Sequence, residues 1–91
     1  MKPAVMLSEL ESVASAVGVR VSYEALRATV GRGGLCRVKG EYRVIIDKRA
    51  GVGERAATLA ASLAGFDWQS LDNLKPKIRE TLAYYAVRRA S

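Results

Sequence analysis

The sequence predicts an α+β domain, a small antiparallel sheet of about three strands packed against two to three helices. Three observations predict it. Apolar residues recur at helical spacing in three stretches, around residues 10–17, 56–64 and 78–86. Between the first two lie three short strand-like runs, Val19 to Tyr23, Leu35 to Val38 and Tyr42 to Asp47. Glycines punctuate the joins, at Gly18, Gly31, Gly33, Gly34, Gly40, Gly51 and Gly53.

The first helix has two possible starts. Pro3 suits a first helical turn, and Ser8-Glu9-Leu10-Glu11 offers a capping box further on. Leu10, Val13, Ala14 and Val17 make its buried stripe, and Gly18 ends it. Val19 to Tyr23 alternates apolar and polar residues, as a half-buried strand does. Glu24 to Val30 reads equally as a helical turn or a loop. The glycine cluster that follows is a turn and not a phosphate loop, because it precedes a strand and lacks the Lys-Ser/Thr pair that opens a helix.

Leu35 to Val38 and Tyr42 to Asp47 flank Lys39-Gly40-Glu41, a short connection that predicts a β-hairpin. In the second strand Tyr42, Val44 and Ile46 share the core face, while Arg43, Ile45 and Asp47 point to a mostly exposed one. Gly51 is a tolerable N-cap for the second helix, with Glu54 in the first turn where a carboxylate suits the helix dipole. Ala56, Leu59, Ala60, Leu63 and Ala64 form its inward stripe, small enough to lie close against a sheet, and Gly65 should end or kink it. Phe66 and Trp68 cover an edge of the core. The last helix begins at Pro76, with Ile78, Leu82, Tyr85 and Ala86 inward and Tyr84 off that stripe.

At 91 residues there is room for one domain with one modest core. A hydrophobic content of 49% against 26% charged residues excludes a disordered chain. The lone Cys36 fits a reducing compartment. The first residues lack a signal-peptide core, and no run reaches the ~20 apolar residues of a membrane span. A cytoplasmic setting without membrane contact is therefore expected. The net charge of +6 is uneven: Arg20 to Arg55 holds nine basic and four acidic residues, and Lys75 to Arg89 five and one. Such a surface suits nucleic acid, anionic lipid or an acidic protein patch, although no block of like charge appears.

The order helix, strand, glycine-rich turn, hairpin and alanine-rich helix, over about residues 7 to 65, resembles the minimal core of ImmA/IrrE-type metallopeptidase domains. The resemblance rests on Thr58, Leu59, Ala60 and Leu63. Ala61 and Gly65 stand where that family has its zinc-binding histidines, and Ser62 where it has its catalytic glutamate. The resemblance thus implies a scaffold that has lost its catalyst.

The residues support the same expectation without any family. With no histidine and one cysteine, the chain cannot assemble an HExxH or Cys/His zinc site within one protomer, nor a Ser-His-Asp or Cys-His catalytic set. Cys36 beside Arg37 and Lys39 reads as a small buried hydrophobe on a strand rather than a nucleophile. No local carboxylate pair or desolvated lysine emerges. The expectation is a non-catalytic domain without cofactor or metal, acting by binding.

Two binding modes follow. In the first, the chain is a protein-interaction or self-association module, with Ile45, Trp68 and Tyr84 as contact residues. In the second, it binds nucleic acid through Arg32, Arg37, Lys39 and Arg43, clustered on and beside the hairpin, although no aromatic residue alternates with these charges to stack on bases.

Overall fold

The computed structural model describes residues 1–25 and 34–90, with side chains through Arg88. Its elements are α1 (Pro3–Ala16), β1 (Arg20–Glu24), β2 (Gly34–Val38), β3 (Glu41–Asp47), α2 (Val52–Leu63), a 3₁₀ turn (Trp68–Ser70) and α3 (Pro76–Ala90). The glycine-rich turn before β2 lies largely outside the described residues, as does most of the ambiguous Glu24 to Val30 stretch.

Of its two expected starts, α1 uses Pro3, whose missing N–H removes one of the donors a helix N-terminus leaves unpaired. At its other end the Val19 N–H donates to Ala14 O at 2.8 Å and the Gly18 N–H to Ser15 O at 3.2 Å. This is a Schellman cap, and it requires the left-handed backbone that Gly18 adopts at φ 81°. The buried pair Ala14 and Val19 closes it with an apolar contact. Chain reversal into β1 is thereby encoded within six residues.

β3 lies at the centre of the sheet, in the order β1-β3-β2. β2 pairs with it antiparallel, but β1 pairs with it parallel. The α+β class is as the sequence predicts, whereas the expected all-antiparallel sheet is corrected to a mixed one. A two-residue connection forces β2 and β3 antiparallel. Between β1 and β3 lie the whole of β2 and its connections, more than the dozen or so residues a parallel return needs.

Val44 and Ile46 are fully buried, and Leu7, Leu10, Val13 and Ala14 of α1 and Ala56, Leu59, Ala60 and Leu63 of α2 join them in one cluster. Both helices therefore pack on that face of the sheet. α3 rests on α2 and α1, adding Ile78 and Leu82 to the cluster. No described helix packs on the other sheet face, yet Arg43, Ile45 and Asp47 there are half-buried and not mostly exposed. Residues of a central strand are shielded by neighbours on both sides, which single-strand alternation does not register.

Gly51 caps α2 with extended backbone, and Arg55 ties down the preceding connection. Its Nε donates to Ala50 O at 2.9 Å, and a terminal nitrogen donates to Lys48 O. α2 stops at Leu63, two residues before Gly65, with Ala64 as its cap.

Candidate functional site

The hairpin turn decides what the β2 side of the sheet presents. Lys39 and Gly40 both have positive φ, 52° and 78°, so the loop is a two-residue turn of the I′ kind. Val38 then pairs with Glu41, Arg37 with Tyr42, Cys36 with Arg43, Leu35 with Val44 and Gly34 with Ile45. A three-residue Lys39-Gly40-Glu41 loop would have set Arg37 opposite Arg43. The shorter loop shifts the register by one residue and sends the two arginines to opposite faces.

The expected basic cluster is corrected accordingly. Arg37 shares the helix-side face with Leu35, Tyr42 and Val44, and its guanidinium lies 5.4 Å from the centre of the Tyr42 ring. Lys39 belongs to the turn and not to a strand face. Arg43 lies on the opposite face beside Cys36 and Arg20, with its Nε buried and without a hydrogen-bond partner. Arg32 lies outside the described residues.

Ile45, Trp68 and Tyr84 are not brought together either. Ile45 is half-buried on the sheet face away from the helices, between Ser22 and Gly34. Trp68 is only 4% exposed: its indole Nε1 donates to Ala64 O at 3.2 Å, and the Arg79 guanidinium lies 6.0 Å from its ring centre. It is a core residue whose polar edge is satisfied internally, so it presents no anchor to a partner. Tyr84 is 52% exposed on α3, edge-on to Tyr85 at 5.1 Å, with Arg88 4.4 Å from its ring centre.

What the structure does bring together is an apolar margin along β2. Leu35, Val38 and Tyr42 are 38%, 44% and 39% exposed, and all three border the hairpin. Tyr42 was expected in the core by its alternation with Val44 and Ile46. It sits at the rim instead, 39% exposed, beyond the end of α2, where Phe66 meets it edge-on at 5.1 Å and Arg37 lies over its ring. The sequence signal for this margin is the four-residue run Leu35 to Val38 with a single charge, too short to separate core from edge.

The opposite margin is polar. Glu11, Ser15, Gly18, Val19, Arg20, Val21, Tyr23 and Glu41 line an open groove of about 460 Å³. Tyr23 Oη donates to Glu11 Oε2, and Arg20 pairs with Glu41 at 3.0 Å. Both carboxylates are thus already engaged. Among the described residues no group of three or more His, Cys, Asp and Glu side chains converges as a metal-ligand set.

Burial of the Tyr23 phenol, and then its hydrogen bond to the Glu11 carboxylate and that group's charge, push its pKa up to about 12, against a smaller lowering by Arg55. A raised folded-state pKa favours the neutral phenol. The stabilisation is complete below pH ~10 and is lost as pH rises through about 12. Because the ring is only partly buried, solvent screening holds the contribution to about 1 kcal/mol. In urea titrations between pH 9 and 12, wild type should lose about that much more stability than Tyr23→Phe; parallel losses would refute the coupling.

The positions that carry the metallopeptidase resemblance are placed as follows. Ala61 is half-buried, and Ser62 is buried with its Oγ donating to Thr58 O at 2.8 Å. Gly65 is exposed beyond the end of α2. Among the described residues no helix is long and apolar enough to cross a membrane. No protein-family model, curated protein or solved structure matches this chain.

Proposed function

We propose that this chain is a non-catalytic cytoplasmic binding domain whose partner is another protein, contacted along β2 and the hairpin. One observation carries the reading: an edge strand whose outer side no described strand pairs with, bordered by the exposed Leu35, Val38 and Tyr42. Sheet edges are ordinarily blunted by proline, bulges or several charges, since unpaired N–H and C=O groups invite a further strand. β2 contains no proline, pairs residue for residue with β3, and carries only Arg37 as a charge. The likeness to a metallopeptidase scaffold without its catalyst is compatible with such a role, and Cys36, the single cysteine, is a free thiol suited to a reducing compartment.

The phosphate-binding alternative draws less support, because Arg37 and Arg43 face opposite sides of the hairpin. Site-specific photo-crosslinking in cells tests the proposal, with the photoreactive residue at Val38 or, for comparison, at Glu80 on α3. A discrete protein adduct from position 38 and none from position 80 is expected. Adducts to nucleic acid alone, or the same diffuse pattern from both positions, would overturn it.

A further inference from the structure

We propose that the β2 edge accepts an extended acidic segment as a fourth strand of the sheet. This rests on the reading of the chain as a protein-binding domain and names the chemistry of the partner.

The hydrogen-bond pattern follows from the turn. In a two-residue hairpin the residues flanking the turn exchange both backbone bonds, and the pattern then alternates along the ladder. Val38, Cys36 and Gly34 therefore direct their N–H and C=O groups toward β3. Leu35 and Arg37 direct theirs away from the sheet, where no described backbone group meets them. Two residues with both groups open give an incoming strand four hydrogen bonds and fix its register.

Charge selects the occupant. Arg37 and Lys39 are exposed, and neither forms a salt bridge among the described residues. The nearest carboxylate along the hairpin, Glu41, is committed to Arg20. The edge is thus locally positive on a chain of net charge +6. A second copy would set Arg37 and Lys39 of two such chains along one ladder, where like charges oppose pairing. Nucleic acid would make no use of the open backbone groups or of Leu35 and Val38. An acidic segment with apolar alternates uses the open backbone groups, the Arg37 charge on one face and Val38 on the other. Its carboxylates lie on the Arg37 face, and its apolar side chains lie over Val38 and Cys36 on the face that carries Ile45.

The probe is a fluorescent, end-capped heptapeptide alternating glutamate and valine, with a lysine-valine peptide and a 15-nucleotide single strand as controls. Fluorescence anisotropy should show saturable binding of the acidic peptide alone. Arg37→Glu should weaken it by about tenfold, the worth of one partly exposed charge-assisted contact. Arg37→Pro should weaken it further, because proline removes an N–H that faces outward and leaves the ladder to β3 intact. Should that variant not fold, amide exchange on wild type gives the same test: the peptide should protect Leu35 and Arg37 and leave Val21 and Tyr23 of β1 unchanged.

The proposal is overturned by absence of saturable binding, by indifference to Arg37→Glu, by protection confined to β1, or by preference for the oligonucleotide. A peptide-free dimer with Leu35 and Arg37 already protected would also overturn it, assigning the edge to a second copy. A protein adduct at Val38 together with no acidic-peptide binding would remove this inference while leaving the binding-domain reading intact.

Discussion

Trp68→Ala should lower the stability of the fold by about 3–5 kcal/mol, the usual cost of emptying a large aromatic site in a packed interior. Trp68 follows the end of α2 and precedes α3, and the core cluster includes it together with Leu63 and Ile78. Its truncation removes the indole N–H from Ala64 O and the surface on which Arg79 lies. A domain of this size has roughly 5–15 kcal/mol in total, so the variant should be largely unfolded at modest urea concentrations. Trp68→Phe should be milder, about 1–3 kcal/mol, mainly from leaving a buried carbonyl without its donor. Urea titration followed by circular dichroism checks both without needing the tryptophan signal. A stable Trp68→Ala protein that has lost its partner would restore Trp68 as a contact residue; the burial argues for the opposite result.

Leu59→Ala should cost about 2–5 kcal/mol. Leu59 is fully buried on α2, and its stripe neighbours Ala56 and Ala60 are small, so few adjacent side chains are large enough to swing into the vacated space. Val44 and Ile46 across the core belong to the central strand, whose pairing on both sides resists collapse toward the helix. Leu59→Met, which nearly conserves volume, should cost under about 1.5 kcal/mol. Equal losses for the two variants would show that the site tolerates neither shape nor volume change, and a loss below about 1 kcal/mol for alanine would show loose packing of α2.

The Trp68 and Leu59 variants act in the core, whereas Arg37→Glu acts at an edge and should leave the urea midpoint nearly unchanged. That contrast gives the binding experiments an internal control. Trp68→Ala should abolish binding together with the fold, and Arg37→Glu should weaken binding alone.

Much of the architecture was legible because its causes are local. Pro3 and Pro76 open helices through their fixed φ and missing N–H, Gly18 closes α1 by taking a backbone conformation unfavourable to other residues, and the stripe Ala56-Leu59-Ala60-Leu63 identifies the buried face of α2. The hairpin was legible too, but its register turned on one residue of loop length. That residue decided whether Arg37 and Arg43 formed a pair or faced apart.

The candidate site was less legible. Tyr42 and Trp68 each follow an apolar pattern that marks a residue as buried or near the core; whether the site is rim or interior depends on where α2 stops and what lies beyond it. Ile45 shows the converse, a residue between two charges that is half-buried by strands on both sides. The residues themselves determined the helices, their caps, the hairpin and the absence of histidine chemistry within the chain. Only the tertiary structure decided that β1 runs parallel beside β3, that β2 is left as an edge, and that Leu35, Val38 and Tyr42 lie exposed along it. These outcomes depend on pairing between segments far apart in sequence, and no local pattern specifies which strand ends up at the edge.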